Sequence, residues 1–405
     1  MYRLIDYGAM LRDRARIEAY QRALSAVVTP STVLIDVGSG IGTFSVLAAK
    51  LGAARVYGIE PADVITLAEE LARANGVADR IQFIQAKAGE AELPERADVI
   101  VSDLAGALPL FDEHLPSIVA LRERFLAPGG VLIPRSARLF CAPVSSESIY
   151  AGIVEPWHAL PGVDFTAAET MALQTPYPRL VKPEDLAGEP RVWAELDYMT
   201  LTSPNIAGSA EWQVDRTVHA IALWFENTMH GDVRTGSGPF TAGSVHATLV
   251  LPLLEPLRPG RLRVELESTL AGGRYVTTWH ARTDEQAGAR QSTFLSEPRS
   301  RASLNERIPV TAPGVPESAR FRAADRVLAR RVAQELLLLD PATGVYHVLN
   351  ETGALVWESL REGGQVNAIA AEVASRYDVD PALVTGDVAA IVAELREAKL
   401  IEALP

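Results

Sequence analysis

Cysteine is almost missing from this chain: Cys141 is the one thiol among 405 residues. No internal disulfide can form, and a reducing compartment is expected. Basic residues do not predominate either. Lys and Arg number 38 against 51 Asp and Glu, a net charge of −13. That balance argues against nucleic acid or an anionic membrane as general partners, since both need a basic surface. No uninterrupted apolar run approaches the ~20 residues of a membrane span. The first residues, Met-Tyr-Arg-Leu-Ile-Asp-Tyr, lack the apolar core of a signal peptide. The expectation is a cytoplasmic protein with no membrane partner. No internal repeat is found. What is present is ordinary for globular chains, 48% hydrophobic and 22% charged residues, over a length that calls for two to three domains.

One stretch organises the rest. An apolar run from Val33 to Val37 stops at Gly38, Gly40 and Gly42; a helix-period segment follows, and a second apolar run ends on Glu60. Strand, glycine turn, helix and acid-terminated strand form the unit that binds adenosine-containing cofactors. Glycines let the backbone turn sharply and let a ligand lie against it, while an acid ending the second strand can accept both ribose hydroxyls. The spacing is Gly-x-Gly-x-Gly with Asp36 inside the strand end. A nicotinamide dinucleotide would fit the same layout but usually carries Gly-x-Gly-x-x-Gly; the spacing here resembles the S-adenosylmethionine pocket of class I methyltransferases, whose cofactor has no pyrophosphate to place. An ordinary core turn is the plain alternative.

Residues 7–28 predict one helix. Strands are expected at 33–37, 55–59, 81–84, 97–102 and 130–133, with helices at 43–51, 63–75 and 113–126. Such alternation predicts an α/β, Rossmann-like domain with a parallel sheet, whose ligands lie beyond the strands' carboxyl ends. The turn 38–42, Glu60, residues 88–90 and Asp103 all fall at such ends. After Pro134 the period becomes two, at 137–144, 191–201, 218–225, 244–251, 261–270 and 275–281. An antiparallel β-barrel or sandwich is expected there, with a Pro- and Ala-rich excursion at about 152–188. Residues 284–318 read as a linker. From 319 to 405 a small α+β domain is expected, with strands at 326–332, 335–339 and 345–349, then helices to 360, at 366–377 and at 381–398.

The first ~280 residues resemble the protein arginine methyltransferases, a branch of the class I S-adenosylmethionine-dependent methyltransferases. Met10-Leu-Arg-Asp-Arg-Ala-Arg16 with Tyr20 resembles that family's helix over the cofactor, and Asp36-Val-Gly-Ser-Gly-Ile-Gly its glycine motif. Gly58-Ile-Glu60, Ser102-Asp-Leu-Ala-Gly-Ala-Leu-Pro-Leu-Phe-Asp-Glu113, Leu126-Ala-Pro-Gly-Gly-Val-Leu-Ile-Pro134 and Val245-His246 fall on its ribose-binding strand end, double-glutamate loop, entry to the barrel and Thr-His-Trp loop. The resemblance implies domains at 1–135 and 136–283. It makes Met10, Arg16, Asp36, Gly38, Gly40, Gly42, Glu60, Ala88, Gly89 and Glu90 cofactor-binding, with Arg16 on the methionine carboxylate. It makes Asp103, Asp112 or Glu113, and a paired Asp13 and His246 catalytic. S-adenosylhomocysteine would be the product, no metal is implied, and the 152–188 arm would form a homodimer.

Departures from that pattern concern the acceptor. Asp103 and Asp112 stand where the family has two glutamates, and Glu113 lies beside the second. Each shorter acid withdraws by roughly one carbon–carbon bond, and near-attack geometry tolerates little displacement. Ala247 replaces a tryptophan, and Gly89 the adenine-contacting glutamate.

The last ~85 residues resemble the PqqD-like peptide-binding domains, winged-helix-like modules that recognise leader segments of ribosomally made peptides. The resembling stretch runs Leu337-Leu-Leu-Asp-Pro-Ala-Thr-Gly-Val-Tyr-His-Val-Leu-Asn-Glu-Thr-Gly-Ala-Leu-Val-Trp357. An open strand edge beside a helix groove would accept an extended peptide. A winged-helix DNA reader is the rival, disfavoured because Glu372, Asp387, Glu394 and Glu397 leave the helices acidic on balance. Together these features predict an N-methyltransferase acting on a leader-bearing precursor peptide, at an amine or an arginine guanidinium, beside other enzymes of the same pathway. The alternatives are a general protein arginine methyltransferase and a non-catalytic scaffold.

Overall fold

The computed structural model describes residues 3–296 apart from 105, 112, 242, 243, 245, 246 and 272. It also describes 320–404 apart from 325, 333–334, 342–344, 350, 360–364, 378–383, 386–387, 390, 393–394 and 397. The chain divides into two compact units, residues 1–270 with 274–296, and residues 271–273 with 297–405.

In the first unit, β1 (Val33–Val37), β2 (Arg55–Ile59), β3 (Ile81–Ile84), β4 (Ala97–Ser102) and β5 (Leu126–Ile133) form a parallel sheet in the order β3-β2-β1-β4-β5. The strand order reverses between β1 and β4, which pair with Val37 beside Ser102. A crevice opens at such a reversal because the connections on either side leave toward opposite faces. All five residues of β1 are buried, as a strand covered on both faces requires. The expected strands agree closely with those observed, except that β5 begins at Leu126 and not at 130.

The N-terminal helix differs from expectation. Residues 7–28 are not one helix; the structure has α1 (Leu4–Arg12) and α2 (Arg14–Val27), broken at Asp13. Asp13 accepts a hydrogen bond from Arg16 N at 3.1 Å, so its carboxylate competes with the backbone ladder and starts a new helix. α2 buries Tyr20, Ala23 and Leu24, whereas α1 buries nothing.

Beyond β5 come two antiparallel sheets, matching the change of period. The larger is built on residues 136–144, 191–197, 218–228 and 248–257, and the smaller on 206–214, 260–271, 274–282 and 290–292. Their inner faces share one apolar cluster that includes Trp193, Trp212, Phe225, Leu262 and Trp279. Two stretches depart from the reading of the sequence. Ile206–Val214 is a strand whose glycine and serine obscured the alternation. Arg290–Ser292, inside the expected linker, pairs with Thr278–His280. The excursion carries helices at Glu147–Val154 and Thr166–Ala172.

In the second unit, Leu328–Val332, Glu335–Asp340 and Val345–Leu349 form an antiparallel meander, and Arg320–Ala323 pairs with Ile401–Leu404. Helices Glu351–Ser359 and Val366–Tyr377 follow the meander, and Leu336, Leu338, Trp357, Ile369 and Val373 share their core. The expected helix 381–398 lies only partly within the described residues.

Candidate functional site

The donor half of the site sits where β1 and β2 end. Gly38 and Gly40 take φ of +67° and +53°, a region costly for any residue with a Cβ. The amides of Gly38 and Ser39 both donate to Ile59 O, at 2.9 and 3.0 Å, folding the turn back over β2. Glu60 follows at once. Its Oε2 accepts from Gly40 N at 3.0 Å and its Oε1 from Ala62 N at 2.9 Å. The turn and the acid are therefore one hydrogen-bonded unit. A Cβ at Gly40 would lie 2.8 Å from the Tyr7 ring, and one at Gly38 would collide with Leu104. Tyr7 and Leu104 thus cover the turn. The atoms met are side-chain ends, and no residue of α1, which carries Tyr7, is buried.

Asp36, Gly42 and residues 88–90 complete this half differently. Asp36 is 2% exposed and accepts from Ser45 Oγ at 2.6 Å. Burial raises its carboxyl to about 7, partly opposed by the Ser45 hydrogen bond. Asp36 thereby ties the end of β1 to Ser45 of the following helix. Gly42 N donates to Ser39 O at 2.7 Å and precedes α3 (Thr43–Lys50). Ala88–Glu90 is a short 3₁₀ turn after β3 with Gly89 and Glu90 exposed, and Gly89 O accepts from Arg124 Nη1 at 2.8 Å.

The acceptor half leaves β4. Asp103 follows Ser102 and pairs with Arg16 Nη1, whose Nη2 donates to Met10 O at 2.7 Å. Arg16 is 5% exposed and its Nε has no partner among the described residues. The structure therefore brings Met10, Asp13, Arg16 and Asp103 together, with Asp13 capping the helix that presents Arg16. Glu113 is exposed, directly before α5 (His114–Phe125). Asp112 and His246 lie outside the described residues, and with them the expected Asp13–His246 pair.

Three contributors escaped the reading of the sequence. Tyr20, placed on the helix over the cofactor but given no partner, donates from its hydroxyl to Ser102 O at 2.8 Å and stacks on Phe44 at 4.2 Å. Ser45 holds Asp36. His114 is 5% exposed, and burial pushes its imidazole down to about 4. Helical spacing could have flagged Tyr20 and Ser45 as inward-facing, but their partners belong to other segments.

The residues fit S-adenosylmethionine. A ligand could lie against the backbone of the glycine turn only with the Tyr7 and Leu104 side chains displaced, and Glu60 closes β2 beside that turn. Arg16 offers a buried, unpartnered guanidinium Nε suited to a carboxylate. When bound, the donor would supply an electrophilic methyl group.

Comparison with known proteins bears on both units. A methyltransferase-domain family model matches residues 29–171, and the model for coenzyme PQQ synthesis protein D (PqqD) matches residues 335–401. The chain is 30% identical over 233 residues to the probable protein arginine N-methyltransferase 6 of Arabidopsis thaliana, covering 55% of this chain and 54% of that protein. It is 30% identical over 238 residues to protein arginine N-methyltransferase 6 of Xenopus laevis, covering 55% of this chain and 70% of that one. The chain thus spans about half the length of the first of these relatives. Among solved structures, the Trypanosoma brucei PRMT1 enzyme–prozyme heterotetrameric complex with AdoHcy superposes with a TM-score of 0.65 at 23% identity, over 71% of this chain and 96% of that chain. At that identity the likeness speaks for the fold alone.

Proposed function

We propose, from the premise that this chain belongs to the protein arginine N-methyltransferase family and carries a PqqD domain, that it N-methylates a ribosomally made precursor peptide. The carrying observation is the union in one chain of a methyltransferase domain and a PqqD domain. The C-terminal unit would capture the leader segment as an added strand, and the first unit would methylate the segment beyond it.

Asp103 is the residue on which the chemistry turns. A carboxylate at the end of β4 would attract an ammonium and take one proton from it, which frees the nitrogen lone pair for in-line displacement at the donor methyl as its C–S bond breaks and S-adenosylhomocysteine leaves. Asp112 and Glu113 are the two candidates for the second acid. Aspartates in place of longer acids favour a compact amine, such as a peptide's terminal amine, with the arginine guanidinium as the second acceptor. A carboxylate acceptor is disfavoured, because acids beside it would repel it. Asp13 with His246, and a homodimer formed through the 152–188 arm, belong to the same reading, as does work alongside other enzymes of one pathway.

The test pairs the full chain with a version lacking residues 319–405, given labelled S-adenosylmethionine and a leader-bearing precursor peptide. The reading expects transfer mapped to one nitrogen, donor binding spared by the deletion, and peptide use sharply weakened by it. Undiminished activity on unrelated arginine-rich proteins after the deletion would instead favour a general arginine methyltransferase. No donor binding by the full chain would favour a scaffold.

A further inference from the structure

The acid loop leaves the fold at Ser102 and rejoins it at His114, and both of these feet are buried polar side chains. Ser102 ends β4 directly before Asp103; His114 opens α5 directly after Glu113. They are 3% and 5% exposed, and Tyr198, next to them, is 2% exposed. Ser102 Oγ, His114 Nδ1 and Tyr198 Oη are all buried without a partner among the described residues. All three residues line one small cavity, closed otherwise by apolar groups including Ile100, Leu132 and Pro134, with about 10 Å³ of room for water centres. The imidazole and the Tyr198 ring meet edge to face at 6.0 Å and 77°.

The surrounding backbone gives these side chains little freedom to look elsewhere. Tyr20 takes the Ser102 carbonyl at 2.8 Å. Arg122 of α5 donates to Tyr198 O at 2.8 Å, and Tyr198 N donates to Arg135 O at 3.1 Å. Each buried polar group left alone is costly. Three around one cavity call for a common partner. The cavity is about the size of one water-sized sphere, and a buried water typically makes about three hydrogen bonds.

We propose that this cavity binds one ordered water molecule through Ser102 Oγ, His114 Nδ1 and Tyr198 Oη, and that the water ties together the two feet of the acid loop. The water donates to Nδ1 of an imidazole protonated at Nε2, and the two hydroxyls close the remaining hydrogen bonds. His114 and Tyr198 are then positioning residues that fix the direction in which Asp103 leaves β4. Only this consequence for Asp103 rests on the methyltransferase reading; the water site does not.

Crystals of the full chain with S-adenosylhomocysteine, at a resolution that shows ordered solvent, address the site directly. A single solvent peak within hydrogen-bond distance of all three atoms is expected; a dry cavity, or direct bonds among the side chains, overturns the site. Hydrogen exchange of the full chain addresses the positioning. In His114→Leu, exchange at the Asp103, Leu104 and Glu113 amides should rise about tenfold, the equivalent of roughly one lost hydrogen bond. His114→Asn, which keeps a polar partner for the water, should restore most of that protection. Unchanged protection in His114→Leu, or a uniform rise across residues 3–135, overturns the positioning role. Should His114→Leu fail to fold, Tyr198→Phe, which removes one hydroxyl, decides by the same criterion. Calorimetry with S-adenosylhomocysteine on the same samples keeps the outcomes apart: absent binding sinks the methyltransferase reading, while the solvent peak still judges the site.

Discussion

The donor and acceptor halves of the crevice are built from different materials. The donor half is mostly backbone: amides of Gly38, Ser39 and Gly40 converge on Ile59 O and Glu60, and buried Asp36 holds Ser45 of the next helix. The acceptor half is carried by side chains on a loop, with Asp103 held by Arg16 and its root held by Tyr20. Backbone geometry changes little when one residue is exchanged, whereas a side-chain clamp shifts by a bond length when Glu becomes Asp. One chain can therefore retain a donor site of the family's build while its acceptor diverges.

The sharpest way to separate the halves is Asp103→Asn. Loss of an acid that accepts a proton and orients the nucleophile should lower kcat by about 10²–10⁴-fold. Affinity for S-adenosylhomocysteine should not weaken, because Arg16 loses its competing partner. A comparable loss of donor affinity in calorimetry would mean that the halves are not separable. Asp103→Glu sharpens the same contrast by restoring one methylene, and peptide mass mapping should show methylation moving toward arginine.

On the donor side, Glu60→Ala should weaken S-adenosylhomocysteine about a hundredfold, since two hydrogen bonds to a charged group are worth roughly 1.5–3 kcal/mol each. Glu60→Gln, which can still accept from Gly40 N, should lose less; equal loss in both variants would trace the effect to a broken turn.

The buried Asp36 predicts a pH dependence. Asp36 has its folded pKa raised from 3.8 to about 7, so between those values the unfolded chain has released a proton that the folded chain keeps. Its stabilisation is full below the unfolded pKa and is lost as pH rises toward 7. His114, lowered from 6.5 to about 4, acts oppositely: its stabilisation is present above 6.5 and is lost as pH falls toward 4. Asp36→Asn should therefore leave a Tm that climbs with pH from about 4 to 6.5. A Tm curve unchanged from that of the parent would exclude Asp36 as a source of the slope. The smallest effect is expected for Tyr20→Phe, which leaves Ser102 O without its buried donor. A loss of about 1–2 kcal/mol should appear in denaturant unfolding.

Much of the first unit was legible because its signals are local. These parallel strands are short apolar runs stopped by a glycine after β1 and by Glu60, Gln85 and Asp103 after β2, β3 and β4, so their limits could be read directly. The break at Asp13 was not, because whether an aspartate joins or caps a helix depends on whether its carboxylate finds Arg16 N. Ile206–Val214 was hidden for the opposite reason: a strand rich in small and polar residues is defined by its partner strand more than by its own alternation.

From sequence alone came the parallel sheet, the glycine turn with its acid, the change to antiparallel strands and the hairpin of the C-terminal unit, all governed by neighbours a few residues apart. Only the tertiary structure decided that Arg16 holds Asp103, that Tyr7 and Leu104 cover the glycines, and that Ser102, His114 and Tyr198 share a cavity. Those contacts join residues from about a dozen to nearly a hundred positions apart, and their partners are chosen by how helices and strands pack rather than by any spacing along the chain.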